Sequence, residues 1–244
     1  MQETGTVPSP ELARLMAEGD LGECTLAPLG SNYTFFARVR DAAGNSVQVV
    51  YKPCRGEAPL WDFPTGTLYL REYLAYRLSE ALGWGLIPYT IIREGEHGIG
   101  SVQLFIPSDP QASYFTLRET HKRQMQQLCV YDVLANNADR KASHCLLGLD
   151  GRLWAIDHGI AFNAEPKLRT VIWDFAGEAV PEPILRDVRR FAEGMEASKG
   201  FCAEMAQLLS DQEVAAFRER VAELLERKTF PLPTSRRSVP WPMM

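Results

Sequence analysis

Asn136-Asn137-Ala138-Asp139-Arg140-Lys141-Ala142-Ser143-His144, followed by Ile156-Asp157-His158-Gly159, is the stretch that decides the fold. Each run sets an Asp in a short polar segment bounded by apolar residues. Between them, the run from Cys145 to Ile156 contains Asp150-Gly151 and has the pattern of strand, Asp-Gly turn, strand. A hairpin of this kind returns the chain to its start, so it gathers Asp139, His144 and Asp157 at one end. Paired carboxylates beside Arg140 and Lys141 suit a magnesium–phosphate site. Magnesium takes hard oxygen ligands, and the cations neutralise phosphate charge.

Upstream, the apolar pattern changes from period two to helical and back. A short amphipathic helix over 9–19 opens the chain, with Ser9-Pro10-Glu11 as its start signal. Strands follow over 22–29, 35–40 and 46–51, the last ending at Lys52. The turn Gly30-Ser31-Asn32-Tyr33-Thr34 presents the backbone N–H groups of Ser31 and Asn32, as phosphate-binding nests do. It is neither a Walker A sequence nor G-x-G-x-x-G, and it equally fits an ordinary hairpin. Residues 53–64 form an insertion carrying Trp61 and Phe63, either a lid or a locally packed loop. A helix over 67–82 has Leu70, Leu74, Leu78 and Leu82 on one face, Gly83 as its stop and Glu72 in its first turn.

Two more strands, 87–93 and 100–105, flank the turn Glu94-Gly95-Glu96-His97-Gly98. Gln103-Leu104-Phe105-Ile106 then ends the strand-rich part, and the division between lobes falls near Ile106. A helix over 118–135 leads into the Asp139 loop. Residues 160–168 form a loop after Asp157, and three helices follow over 183–195, 200–209 and 211–228. From Phe230 onward, four prolines and Arg236-Arg237 indicate an extended or disordered tail.

In this order the motifs resemble the catalytic core of the protein-kinase-like superfamily. The closest flavour is the phosphatidylinositol 3/4-kinase and HipA-like branch, with D-R-x-x-x-N followed by D-x-G. The chain looks most like a bacterial, largely actinobacterial family distantly related to phosphatidylinositol kinases. The resemblance implies an α+β, bilobal fold: an antiparallel-sheet N-lobe (20–106), a helical C-lobe (107–229) and an extended tail (230–244). It implies ATP and Mg2+ or Mn2+ as cofactors. Ser31, Asn32, Lys52, Glu72, Gln103 and Phe105 would bind nucleotide, Gln103 and Phe105 at the hinge where backbone groups meet an adenine. Glu72 would pair with Lys52, which follows Val49-Val50-Tyr51 as the Lys of V-A-I-K follows its strand. Asp139 would orient the acceptor hydroxyl, Lys141 would offset charge on the transferring group, and Asp157 would hold the metal. His144 stands where the pattern has a metal-binding Asn, and it is a metal ligand or a buried structural His. His158 replaces the usual Phe after Asp157.

The implied function is an ATP-dependent phosphotransferase acting on a hydroxyl-bearing small molecule or protein. A nucleotide-binding pseudokinase and an adenylyltransferase are the rivals on the same fold. Composition narrows this further. The chain has 244 residues and a net charge of -5, which argues against a nucleic-acid partner. No basic or apolar patch suited to a membrane surface is apparent, which counts against a lipid acceptor. No apolar run is long enough to span a bilayer, and the start lacks the features of a signal peptide. Five cysteines without a C-x-x-C pair fit free thiols in a reducing cytoplasm. Metal hydrolase and serine hydrolase chemistry lack their H-x-x-x-H and G-x-S-x-G signatures.

Overall fold

The computed structural model describes residues 8–28 and 32–244. A helix, α1 (Pro10–Glu18), precedes three antiparallel strands: β1 (Asp20–Leu26), β2 (Phe35–Arg40) and β3 (Ser46–Pro53). Helix α2 (Leu68–Leu82) follows, then the hairpin of β4 (Thr90–Gly95) and β5 (Gly98–Leu104). The strands form one sheet in the order β1-β2-β3-β5-β4, because β5 pairs with β3 rather than continuing outward. The rest is helical: α3 (Tyr114–Leu117), α4 (Lys122–Ala135), α5 (Glu182–Gly194), α6 (Phe201–Leu208) and α7 (Asp211–Arg227). Inserted among them is the small hairpin of β6 (Cys145–Leu147) and β7 (Leu153–Ala155), with Gly151 at φ 77° in its turn. The architecture is α+β and bilobal.

Local signals set the ends. The Ser9 hydroxyl accepts from the Leu12 N–H at the start of α1, and Ser210 with Glu213 forms a capping box on α7. Gly83 closes α2 in the left-handed conformation. The sheet hairpin is tighter than the sequence indicated: Gly95 pairs with Gly98, leaving Glu96-His97 as a two-residue turn. The helix expected over 118–135 begins only at Lys122, as α4, and a separate short helix, α3, precedes residue 118. Glu72 is the fifth residue of α2 and so opens its second turn rather than lying in its first.

Two cores divide the molecule. The smaller lies under the sheet and joins Met16 of α1 to Phe35, Val39, Val49, Tyr51 and Val102. The larger belongs to the helices of the C-terminal lobe, yet it also takes in Leu74, Leu78 and Leu82 of α2. All three are fully buried, and burial of each such side chain contributes roughly 1.5–3 kcal/mol. Helix α2 is therefore anchored by the lobe opposite to the one its sequence position suggests. Arg71, also fully buried, strengthens the joint. Its guanidinium donates to Ala161 O and to Glu213 Oε1 of α7, at 2.6 Å each.

The segment after α7 has little regular structure but lies against the C-terminal lobe. Phe230 is buried against Phe175, with ring centroids 5.5 Å apart. Ser238 O accepts from the Thr170 N–H and from Trp173 Nε1, and Met243 O accepts from the Ala142 N–H. Backbone hydrogen bonds thus tie this segment to the loop that carries Asp139.

Candidate nucleotide-binding and phosphotransfer site

Between the lobes lies a cleft of about 430 Å³ lined by both. β3 supplies Val50 and Lys52, α2 supplies Glu72, and the end of β5 supplies Gln103, Leu104 and Phe105. From the C-terminal lobe come Asp139, Lys141, Ile156 and Asp157. Residues 157 and 52 lie 105 positions apart in the chain, and only the fold brings them together.

Lys52 is the centre of the charge arrangement. Its Nζ pairs closely with Glu72 and lies 2.9 Å from Asp157 Oδ1. Burial works against the ammonium, but Asp157 and Glu72 outweigh it and raise its pKa above the ordinary value. Glu72 uses its other oxygen to accept from the His158 N–H at 3.0 Å. One carboxylate therefore fixes the Lys52 head and the backbone beside Asp157 together. Asp157 has half its side chain open to the cleft. Lys52 holds its pKa well below the usual carboxylate range, against the opposing effect of burial. Its backbone is left-handed, φ 64°, a strain of about 1–3 kcal/mol that clusters at functional sites and that Asp tolerates better than most residues.

His144 sits on a 3-10 turn (Ala142–His144) and turns Nε2 toward Asp157 Oδ2 at 3.4 Å. Burial pushes its pKa down to about 4, with Asp157 opposing the shift. The imidazole is thus neutral near pH 7; its Nδ1 accepts from the Lys141 N–H at 3.4 Å, so its hydrogen sits on Nε2, toward Asp157. Asp139 pairs with Lys141 across 3.1 Å. Burial raises the Asp139 pKa, and Lys141 partly counters this. Asn137 Oδ1 accepts from the Asp139 N–H at 3.1 Å, which sets the loop.

Arg140, grouped with Lys141 as a phosphate-neutralising cation, does something else. It is fully buried and faces away from the cleft. Its guanidinium donates to both Asp132 oxygens, to Ile156 O at 3.0 Å, and meets His158 Nε2 at 2.6 Å. Asp132 also accepts from Asn137 Nδ2 at 2.9 Å. The arginine thus braces the Asp139 loop against the Asp157 loop, with His158 as a third partner. Asp132 lies on α4, near the end that leads into the Asp139 loop. Its burial one turn before the loop is what makes it the anchor.

The remaining candidate residues divide. Asn32 lines the cleft, but its side-chain oxygen accepts from Ala58 N at 2.7 Å and so holds the insertion. Ser31 lies outside the described residues. Gln103 lines the cleft while its amide donates to Thr90 Oγ1 at 2.9 Å. The Phe105 N–H, expected to face an adenine, donates to Gln48 O at 3.1 Å and extends the sheet. What Phe105 offers the cleft is its ring, packed edge-on against Phe36. The insertion packs against the loop after Asp157 in the C-terminal lobe: Asn163 Nδ2 donates to Asp62 O, and Lys167 Nζ lies 3.0 Å from Asp62 Oδ2.

This arrangement defines a class. Solved structures of similar shape include the Helicobacter pylori proinflammatory kinase CtkA, at 12% identity and a TM-score of 0.51. That match covers 87% of this chain and 94% of the other. The Golgi casein kinase with Mn/ADP bound matches at 14% identity and a TM-score of 0.52, over 85% and 72% of the two chains. Hydra Fam20 with sugar matches at 13% and 0.54, over 88% and 87%. The fold is protein-kinase-like. Residues 92–218, just over half of the chain, match the model of the family described as phosphatidylinositol 3- and 4-kinase. The chain belongs to this family. Protein Rv2133c of Mycobacterium tuberculosis is 36% identical over 93% of this chain and 94% of its own length. Rice phosphatidylinositol 4-kinase gamma 4 is 25% identical over 70% of this chain, which corresponds to 36% of the rice protein.

Proposed function

We propose that the protein is an ATP-dependent phosphotransferase that moves the γ-phosphate to a hydroxyl-bearing small molecule or protein. The observation that carries this is the meeting of Lys52, Glu72, Asp139, Lys141 and Asp157 around one cleft. Residues 20–106 act as the nucleotide-cradling lobe and 107–229 as the lobe that carries the reactive loops. The donor set suits a divalent cation. Asp157 offers a hard oxygen, and His144 would offer Nε2 beside it in the tautomer that carries its hydrogen on Nδ1. When bound, the metal–nucleotide supplies the phosphoryl group and draws charge from its leaving oxygen.

The chain's own groups then have separate tasks. Lys52, held by Glu72, takes phosphate oxygens in exchange for Asp157. Asp157 and His144 would hold the metal. Asp139 fixes the acceptor hydroxyl and receives its proton. Lys141, beside Asp139, offsets the charge that builds on the transferring group. Phosphoryl transfer asks mainly for positioning and charge neutralisation, which is what these residues provide. The acidic chain (net charge -5) favours a soluble acceptor over a lipid. No helix among the described residues is long and apolar enough to cross a membrane.

The test uses purified protein, Mg2+ or Mn2+, a fractionated extract of small molecules and proteins, and ATP labelled at either the γ or the α position. Transfer of the γ label alone supports the proposal. Transfer of the α label assigns an adenylyltransferase. Tight ATP binding with neither transfer assigns a pseudokinase.

A further inference from the structure

On the face of the sheet turned away from the cleft, three unlike donors meet. Strand alternation sends Phe36, Val50 and Lys52 to the cleft, and Phe35 and Tyr51 to the other side. There a sulfur of Cys24, a carboxylate oxygen of Glu96 and a ring nitrogen of His97 all lie within 4.8 Å of one another.

The convergence has local causes. The β1–β2 register breaks between Gly22 and Thr25, and Glu23 takes φ 54° in the resulting bulge. Glu23 turns outward to Arg38 and Arg40, 3.1 Å each, while Cys24 packs against the small core. Glu96 and His97 are the two turn residues between β4 and β5. That turn is fixed from below: the Tyr51 hydroxyl donates to Gly98 O, and the His97 ring stacks on Phe35 with centroids 4.2 Å apart. The imidazole is thus oriented by packing. β1 and β4 are opposite edges of the sheet, yet its coiling brings them together. Arg93 at the end of β4 donates to Met16 O at 2.7 Å, and Leu21 of β1 crowds Gly95.

We infer that Cys24, Glu96 and His97 form a zinc-binding site that ties the two edges of the N-lobe sheet together. A thiolate, an imidazole and a carboxylate are a ligand set for Zn2+, not for Mg2+ or Ca2+, and water completes the tetrahedron. Binding releases the Cys24 thiol proton to the buffer. Thiolate and carboxylate together balance the charge of the ion. The site is separate from the nucleotide cleft and needs no nucleotide.

Metal-stripped, reduced full-length protein is titrated with Co2+ and then with Zn2+, without nucleotide. The expected result is one equivalent of Co2+ with a thiolate-to-cobalt charge-transfer band, displaced by Zn2+, and a rise in Tm with Zn2+ alone. Cys24→Ser and His97→Ala should each lose the band and the rise. Asp157→Asn, in the cleft, should keep both. Absence of the band in the wild type, or its survival in Cys24→Ser or His97→Ala, overturns the inference. If Cys24→Ser does not fold, His97→Ala and Glu96→Gln decide: unchanged Zn2+ affinity in both also overturns it.

Discussion

Lys52 Nζ lies 2.9 Å from Asp157 Oδ1, across the cleft and across 105 positions of sequence. The ammonium that would meet phosphate is paired with the carboxylate that would meet metal. On the proposed reading, a bound metal–nucleotide would exchange this pair for two others, Lys52 with phosphate oxygens and Asp157 with the cation. Until then the ion pair keeps both groups charged. Glu72 would remain on Lys52 in both arrangements, since its second oxygen is held by the His158 N–H.

ATP with Mg2+ or Mn2+ should stabilise the fold, by about 2.7 kcal/mol at a hundredfold excess over Kd. For a chain of this size each kcal/mol moves Tm by about 2–4 °C. Lys52→Ala should shrink that shift. Asp157→Asn, which keeps the left-handed backbone tolerable, should abolish metal-dependent binding and turnover together. Thermal melts and calorimetric ATP titrations read both. An unchanged shift in Lys52→Ala would remove Lys52 from the phosphate site.

Asp139→Asn should leave ATP binding near wild type and lower turnover about 10²- to 10⁴-fold. Equal loss of nucleotide binding in Asp139→Asn and Asp157→Asn would refute the division of labour between the two carboxylates.

The raised pKa of Asp139 has a pH signature. The carboxylate must be ionised to receive a proton, so turnover falls as pH drops through a pKa above the ordinary Asp value. Stability runs the other way. A folded pKa above the unfolded one means that the fold disfavours the ionised form, and this cost fades as pH falls through the folded pKa. Asp139→Asn should therefore have a higher Tm than wild type at neutral pH, and the gap should narrow on acidification. A gap that widens on acidification would contradict the assignment.

His144→Asn tests the nitrogen ligand. Mg2+ takes oxygen ligands in near-ideal octahedral geometry, whereas the transition ion Mn2+ accepts an imidazole nitrogen more readily, so wild-type turnover should favour Mn2+. The Asn variant should move the preference toward Mg2+. A variant that only lowers Tm, with the metal preference unchanged, would make His144 structural.

Arg140→Ala should cost about 3–5 kcal/mol, because it leaves the Asp132 carboxylate buried and unpaired. Asp132→Asn added to Arg140→Ala should recover part of that loss. Denaturant unfolding of the single and double variants measures it. A loss below about 1 kcal/mol in Arg140→Ala would show that the brace is not what fixes the loop.

Much of the architecture is local and therefore readable in the chain. Period-two alternation into Lys52, the Leu70–Leu82 spacing, the Gly83 stop and the Asp150-Gly151 turn depend on neighbours a few residues away. They specify strands, helix and hairpins whatever else the chain does. The motif order around Asp139 and Asp157 likewise pointed to a kinase-like fold. What the sequence could not show is which cation faces the cleft. Arg140 and Lys141 are adjacent, and the backbone alternation that buries one and exposes the other acts only once α4 has placed Asp132 beside it. The same holds for Phe105, whose N–H is taken by Gln48 only because β3 and β5 pair. Helix α2 carries its site residue Glu72 from the N-terminal half, but its apolar face is claimed by the C-terminal core. The meeting of Cys24 with Glu96 and His97 needs the coil of a complete sheet to join its two edges. Local pattern fixes the elements; long-range burial and pairing decide which face of each one meets the site.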